Sequence, residues 1–186
     1  MTPEQPSLDD LVRLADAGRD RAVVLIDGGA GSGKTTLGIQ LRDSWRGPVH
    51  LVSLDDVYPG WSGLADGSRA VHTTILRGLR PGYRRWDWAL GARAEWVPLD
   101  PDRALIIEGC GALTPHSSAL ATLRIWCHLD ADTRRDRAIA RDGDTLARHW
   151  DDWAAQEAEH WRRHRPWELA DLRLAVGGSG QHQPPR

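Results

Sequence analysis

Gly28-Gly29-Ala30-Gly31-Ser32-Gly33-Lys34-Thr35 is the stretch that decides the fold of this 186-residue chain. It matches G-x-x-x-x-G-K-[ST] at every defined position, the pattern of a glycine-rich loop whose backbone N–H groups surround phosphate oxygens. Such a loop requires a buried strand before it and a helix N-terminus after it, because the helix dipole attracts anions. Lys34 is the single Lys in a chain with 24 Lys and Arg residues, which favours a functional role for it.

The residues on both sides of the loop fit that context. Residues 22–26 are a continuous apolar run, as expected of a strand buried on both faces of a parallel sheet, and Leu37, Leu41 and Trp45 follow at helical spacing. Further strands are predicted at residues 49–54, 104–107, 123–129 and 172–176, alternating with helical segments. The alternation predicts an α/β fold, a doubly wound parallel sheet of about five strands with helices on both faces.

Residues 1–186 are expected to form a single domain. Its middle is predicted to hold a helix at 68–79, after a turn at Asp66-Gly67, and a hairpin of 83–88 with 95–99 around Gly91. The charged segment 131–145 is expected to form a short lid, interrupted near Asp142-Gly143-Asp144. Residues 1–7 and 177–186 are predicted to be disordered ends.

Composition excludes several functional classes. The 24 Lys and Arg residues are balanced by 26 Asp and Glu residues, so the basic excess of a nucleic-acid-binding protein is missing. No apolar run approaches the ~20 residues that a membrane helix needs, and no secretory signal pattern is present. Cys110 and Cys127 supply neither a disulfide framework nor a metal-ligand spacing. We expect a cytoplasmic protein without nucleic-acid or membrane partners, and the oligomeric state stays open.

The glycine-rich loop predicts a binding site for the phosphates of ATP. Lys34 is expected to contact the terminal phosphates, while the Thr35 hydroxyl joins the coordination shell of Mg²⁺. Thr36 is the last residue of the predicted phosphate site, and packing is the favoured role for it. The residues assigned to phosphate binding are Gly28, Gly29, Ala30, Gly31, Ser32, Gly33, Lys34, Thr35 and Thr36.

Asp55 and Asp56 follow the second predicted strand, one strand away from the loop. A carboxylate there can take the proton of an acceptor hydroxyl, which an acceptor that is already a phosphate does not require. We assign the general base to Asp55 and place Asp56 at the acceptor, with the reverse assignment and a purely capping role as alternatives.

Glu108 and a row of arginines are the other charged candidates. Glu108 ends the third predicted strand, where it can act on Mg²⁺ through water or on the acceptor's hydroxyls, unless it is structural. Arg134, Arg137 and Arg141 share one helix face by their spacing. Arg137 and Arg141 are predicted to hold the transferring phosphoryl group, the alternative being a solvated face paired with nearby carboxylates.

Aromatic residues predict how an acceptor is bound. Tyr58 and Trp61 directly follow the aspartate pair and are expected beside the acceptor. In the run 83–88, strand alternation places Trp86 and Trp88 on one face and Arg85 and Asp87 on the other, so Arg85, Trp86 and Asp87 are also predicted to contact the acceptor. Core packing is the competing role for each Trp of a chain that has 10 of them.

Together these residues resemble the P-loop small-molecule kinases of the uridine kinase and phosphoribulokinase group. Leu54-Asp55-Asp56-Val57-Tyr58 is similar to the Asp-x-Phe-Tyr element of uridine kinases, in which the first Asp is the base, and Ile106-Ile107-Glu108-Gly109 resembles the group's third strand end. Residues 130–142 resemble the strand end and helix that lead into the lid. Val57 in place of the aromatic residue, a short lid and the tryptophan-rich segment 83–96 depart from the group's pattern.

The resemblance implies an ATP- and Mg²⁺-dependent kinase acting on a hydroxyl of a small molecule, with a nucleoside as first candidate. A nucleotide kinase and an NTP-binding regulatory protein without an acceptor are the alternatives.

Overall fold

The computed structural model describes residues 5–17 and 20–175. Of the ends predicted to be disordered, 1–7 and 177–186, residues 1–4 and 177–186 lie outside the described residues. Residues 5–7 lead into the first helix, where the Ser7 hydroxyl accepts a hydrogen bond from the Asp10 backbone N–H at 3.2 Å. Ser7 therefore satisfies one of the free N–H groups at the start of this helix.

The elements follow the alternation that the sequence predicts. In chain order they are α1 (Leu8–Asp16), β1 (Val23–Gly28), α2 (Lys34–Ser44), β2 (Val49–Ser53), α3 (Leu64–Ala70), β3 (Gly82–Asp87), β4 (Ala92–Pro98), β5 (Ala104–Glu108), α4 (Pro115–Ser118), β6 (Leu123–Cys127), α5 (Ala131–His164), α6 (Pro166–Leu169) and β7 (Leu172–Leu174). A 3-10 turn, Leu54–Asp56, follows β2, and a π-helical turn, Val71–Ile75, continues α3.

Five strands form one parallel sheet in the order β2-β5-β1-β6-β7. All six residues of β1 are buried, because this central strand is covered on both faces. Val23 and Leu25 pack into one core cluster together with α3 and the second half of α5, whereas Val24 and Ile26 pack into another with α1 and α2. The predicted α/β fold with helices on both faces is confirmed.

The helix in the middle of the chain spans residues 64–75 rather than the predicted 68–79. Asp66-Gly67, which is typical of a turn, is helical instead because the Tyr58 ring packs against Gly67. A Cβ at position 67 would lie 2.4 Å from Cδ1 of Tyr58, so the glycine is required by close packing. The predicted hairpin is present, with β3 antiparallel to β4 and a bulge between Arg84 and Trp86.

Helix α5 is interrupted at Gly143, within the predicted interruption at residues 142–144. Gly143 has φ 66° and ψ −152°, a conformation that is essentially restricted to glycine. The helix therefore has two halves, residues 131–142 and 144–164, that meet at a kink. Among the described residues no helix is long and apolar enough to cross a membrane.

Candidate functional site

The glycine-rich loop connects β1 to α2 as the motif predicts. Gly33 lies just before α2 with φ 94°, and Gly31 has φ 79°. A Cβ at position 31 would come within 2.0 Å of the Arg134 backbone oxygen, so only glycine fits there. The loop thus places the N-terminus of α2, with Lys34, Thr35 and the exposed Thr36 in its first turn, where an anion can bind.

Two buried carboxylates hold the loop in shape. Asp27 accepts hydrogen bonds from the backbone N–H groups of Gly28 at 2.6 Å, Gly111 at 3.0 Å and Leu113 at 2.8 Å. Glu157, from the second half of α5, accepts one from the Ala30 N–H at 2.6 Å. Both side chains are almost completely buried. The loop is therefore fixed from below by its own strand and from the side by α5.

Sequence reasoning missed Asp27 and Glu157, although each carried a signal. Asp27 is a charged residue at the end of an otherwise apolar strand. Glu157 lies four residues after Trp153, on the helix face that also buries Leu146 and Trp150. A charge on the apolar face of a helix is seldom buried without partners. Both residues could have been singled out on that basis.

Arg134 also contacts the loop. Its Nη1 donates to the Ala30 carbonyl at 3.1 Å and lies 3.3 Å from Oε2 of Glu157. The guanidinium carbon lies 5.3 Å from the centre of the Trp161 ring. Arg134 is thus a buried partner of the loop backbone, although the row that it begins was predicted to face the phosphoryl group.

Lys34 and Glu108 place opposite charges behind the loop. The Lys34 ammonium is buried and donates to the Gly29 carbonyl at 3.0 Å. Burial alone lowers the pKa of Lys34, but Glu108, Glu157 and the other nearby acidic groups raise it above its usual value, so the side chain stays charged. Its charge is available for the terminal phosphates of a nucleotide.

Glu108 lies at the end of β5, next to Thr35. Its carboxylate accepts hydrogen bonds from the Ser53 hydroxyl at 2.5 Å and the Thr35 hydroxyl at 3.1 Å. Burial raises the pKa of Glu108, while Lys34 and the Ser53 hydrogen bond oppose that rise. Among the described residues no three His, Cys, Asp or Glu side chains form a metal centre. A hydroxyl beside one carboxylate does fit the Mg²⁺ that accompanies a nucleotide, because this ion keeps several waters and takes few protein ligands.

A cavity of about 560 Å³ opens between the loop and the 3-10 turn after β2. Lys34 and Thr35 line it at one end and the exposed Asp55 at the other. Its remaining lining is Ala30, Gly31, Tyr58, Trp61, Trp88, Glu108, Cys110, Arg141, Asp142, Thr145, Leu146 and Trp153. Asp56 is not part of this lining, and burial together with the neighbouring Asp55 raises the pKa of Asp56. The structure therefore brings Asp55, rather than Asp56, to the phosphate loop.

Aromatic rings form the wall of the cavity near Asp55. Trp61 stacks on His149 with ring centres 4.5 Å apart, and its centre lies 5.0 Å from that of Trp88. The Trp88 indole N–H donates to the Asp55 carbonyl at 2.8 Å, which ties the hairpin to the turn that carries the carboxylate. Tyr58 also lines the cavity; it is fully buried and its hydroxyl donates to the Cys110 carbonyl at 2.7 Å.

Three further residues predicted at the acceptor, besides Asp56, lie outside this cavity. Arg85 pairs with Glu95 across the hairpin at 2.6 Å, and Asp87 accepts from the Ala89 and Leu90 N–H groups at its tip. Trp86 lines a separate, smaller cavity. The predicted shared face of Trp86 and Trp88 is not observed, because β3 contains a bulge and ends at Asp87, one residue before Trp88.

Arg137 and Arg141 lie beside the N-terminus of α2. Both line a cavity of about 200 Å³ together with Lys34, Thr35 and Thr36. Arg141 also lines the 560 Å³ cavity and donates to the Asp142 carboxylate at 2.8 and 2.6 Å. Arg141 thus stands where the two cavities meet, next to the phosphate loop.

The parallel five-stranded sheet with a glycine-rich loop after β1 is also found in solved structures. The chain is similar to a "possible uridine kinase" from Bacillus stearothermophilus, with a TM-score of 0.59 and 18% identity, over 90% of this chain and 96% of that one. It is also similar to a "putative fructose transport system kinase" from Silicibacter sp. TM1040, with a TM-score of 0.53 and 19% identity, over 91% of this chain and 100% of that one. No protein-family model and no curated protein matches the chain. At these identities the similarity establishes the fold.

Proposed function

We propose that the protein is a cytoplasmic kinase that transfers the γ-phosphate of ATP to a hydroxyl group of a neutral small molecule. The observation that carries the proposal is that one cavity is lined both by Lys34 and Thr35 of the phosphate loop and by the Asp55 carboxylate. This arrangement suits in-line transfer, in which a donor phosphate and an acceptor hydroxyl must meet in one enclosed space.

Each charged group has a role in this reaction. Lys34, Arg137 and Arg141 stabilise the charge of the transferring phosphoryl group, since all three lie beside the N-terminus of α2. Asp55 accepts the proton of the attacking hydroxyl. Thr35 and Glu108 would hold Mg²⁺, which neutralises phosphate charge when bound.

The other end of the cavity favours a neutral acceptor with a flat ring or sugar. Trp61 and Trp88 offer apolar faces there, and Asp55 would repel a phosphate. A nucleotide acceptor would require cationic partners for its own phosphate. The cationic side chains in the described lining are Lys34 and Arg141, and the proposal assigns both to the transferring phosphoryl group. The two structural neighbours are described as a uridine kinase and a kinase of a fructose transport system, names that are consistent with a sugar hydroxyl as acceptor. A nucleoside is our first candidate.

The test is acceptor-dependent ADP release from Mg-ATP, measured with panels of nucleosides, sugars and nucleotides. We expect a nucleoside or sugar to stimulate release and Asp55→Asn to lower kcat by about 100-fold or more, because a general base contributes about 10²–10⁴-fold. ATP binding should persist in that variant. Asp56→Asn is the matched control and should stay active, since Asp56 does not line the cavity.

Other results would favour other functions. Full activity of both variants, with a nucleotide as the best acceptor, would replace the proposal with a nucleotide kinase. ATP hydrolysis that no acceptor stimulates would replace it with a regulatory NTP-binding protein.

A further inference from the structure

A second large cavity lies on the other side of the second half of α5. It has a volume of about 530 Å³, close to that of the phosphate-loop cavity, and lies between α3, α4 and residues 155–164. The two cavities share no lining residue. Gln156 separates them: its side chain accepts from the Leu64 N–H at 3.3 Å and donates to the Trp61 carbonyl at 2.7 Å. The second cavity is therefore a compartment of its own, of a size typical for small-molecule sites.

Polar side chains without partners converge on this second cavity. Within the described part of the chain, no hydrogen bond or ion pair involves the side chains of Ser68, His72, His116, Arg163 and His164. The Nδ1 atom of His72 is buried as well as unpartnered. Buried polar atoms are normally satisfied, so such an atom in the wall of a cavity calls for a ligand or a water.

The other charges of the wall neutralise one another. Arg69 forms an ion pair with Asp66, and Glu159 accepts from Arg162 at 2.7 Å. His160 is engaged with the core, since its Nε2 lies 3.2 Å from the Leu113 carbonyl and 3.8 Å from Oδ2 of Asp27. Arg163 is exposed and attracts Glu159 at longer range, but it forms no ion pair or hydrogen bond among the described residues and so remains as the unpaired arginine of the cavity.

His72 and His164 add hydrogen-bonding groups rather than charge at neutral pH. Burial, and then the nearby His116, lower the pKa of His72; burial, and then His160, lower that of His164. Each neutral ring offers one N–H donor and one acceptor. The rings of His72 and His116 are also stacked, with centres 5.0 Å apart, so both border the same part of the cavity.

We propose that this cavity is a second ligand site, which binds a small polar molecule carrying one phosphate group. Arg163 would bind the phosphate, because a guanidinium matches its geometry through two parallel hydrogen bonds. Ser68 and the rings of His72, His116 and His164 would bind the remaining polar groups of the ligand. The proposal stands apart from the kinase reaction, because it uses none of the residues of the phosphate-loop cavity.

Proton–nitrogen correlation NMR of the histidine rings tests the proposal. Inorganic phosphate and, separately, glucose 6-phosphate are titrated into the full-length protein, and shifts of His72, His116 and His164 are compared with those of His128, which lines neither cavity. We expect saturable shifts of the three rings but not of His128. The affinity should fall about ten-fold or more in Arg163→Gln, since a charge-assisted hydrogen bond contributes about 1.5–3 kcal/mol.

Two further variants separate this site from other sources of binding. Arg148→Gln is the matched control: it removes an exposed arginine of the same helix that lines neither cavity, and its affinity should equal that of the wild type. Lys34→Ala weakens the phosphate loop and should leave the shifts unchanged.

The two titrations also identify the class of ligand. If glucose 6-phosphate binds more tightly than inorganic phosphate, the ligand is a phosphorylated metabolite. If the two bind equally tightly, the ligand is free phosphate. Shifts that are absent, that include His128, or that survive in Arg163→Gln would overturn the proposal.

Discussion

Glu157 connects the wall of the phosphate-loop cavity to the loop itself. Its Oε1 accepts from the Ala30 N–H, from the Trp153 indole at 3.1 Å and from the Cys110 thiol at 3.2 Å, while Oε2 faces Arg134. Trp153 lines the cavity four residues before Glu157 on the same helix. One carboxylate thus joins the glycine-rich loop to the wall of the cavity.

Replacing Glu157 with Gln should destabilise the protein and weaken nucleotide binding. The change leaves the Arg134 charge buried without a counter-ion, and breaking one partner of a buried pair costs about 3–5 kcal/mol. Urea unfolding would measure the free energy of unfolding, and calorimetry the affinity for ATP. Glu159→Gln, which breaks an exposed ion pair on the same helix, is the control and should leave both unchanged. A Glu157→Gln protein as stable as the wild type would show that the loop is held by other contacts.

At the scale of elements, the kink of α5 sets the position of two groups of cavity residues. Arg141 and Asp142 line the cavity before Gly143, and Thr145 and Leu146 line it after. In a straight helix these four residues would also share one face, so the kink does not decide which of them face the cavity. The bend at Gly143 instead sets the angle between the two halves of α5 and thus the distance of each pair from the loop.

Gly143→Ala should therefore impair turnover as well as stability. Alanine at φ 66° and ψ −152° is strained by about 1–3 kcal/mol, and relaxation of that strain moves Arg141 relative to Thr145. Gly91→Ala is the matched control, since Gly91 also has positive φ (59°) but lies at the tip of the hairpin with nothing within 4 Å of its added Cβ. We expect a lower kcat only for Gly143→Ala. Equal kcat values for the two variants would contradict a role for the kink in the site.

The hairpin offers a test of acceptor binding with two neighbouring tryptophans. Trp88 lines the phosphate-loop cavity and Trp86 does not. Trp88→Ala should raise the KM of the acceptor about two- to ten-fold with little change in that of ATP, because an aromatic contact contributes about 0.5–1.5 kcal/mol. Trp86→Ala should lower the melting temperature and leave both KM values unchanged. If Trp88→Ala raises the KM of ATP instead, the aromatic wall contacts the nucleotide rather than the acceptor.

At the scale of the whole molecule, sequence patterns predict those parts of the structure that are determined by residues close together in the chain. The five strands and the loop were predictable, because buried parallel strands are short apolar runs and the loop is defined by consecutive residues. The contact of Glu157 with Ala30 joins residues 127 positions apart, and no local pattern encodes it. Gly67 was misassigned for the same reason, since a ring from Tyr58 decides its conformation. The roles of Asp55, Arg137, Arg141 and Trp61 stay predictions.

Glu108 should make the stability of the protein depend on pH. Burial raises the pKa of Glu108 above its usual 4.5, so the native state binds this proton more tightly than the unfolded chain does. The resulting contribution to stability is complete below the unfolded pKa and is lost as the pH rises through the native one. In Glu108→Gln this contribution is absent at every pH. The free energy of unfolding of the wild type minus that of Glu108→Gln should therefore decrease as the pH rises from about 4 to about 7.

Glu95→Gln serves as the control, because the difference in the free energy of unfolding between the wild type and this variant should change with pH in the opposite direction. The hydrogen bond from Arg85 lowers the pKa of Glu95, so its contribution is present above the unfolded pKa and is lost on acidification. Urea unfolding without Mg²⁺, repeated across this pH range, measures both differences. A difference for Glu108→Gln that stays constant or grows with pH would mean that Lys34 and the Ser53 hydrogen bond lower the pKa of Glu108 by at least as much as burial raises it. The decrease that we expect means instead that the protein gives up stability at neutral pH to keep an ionisable carboxylate beside Thr35, where Mg²⁺ would bind.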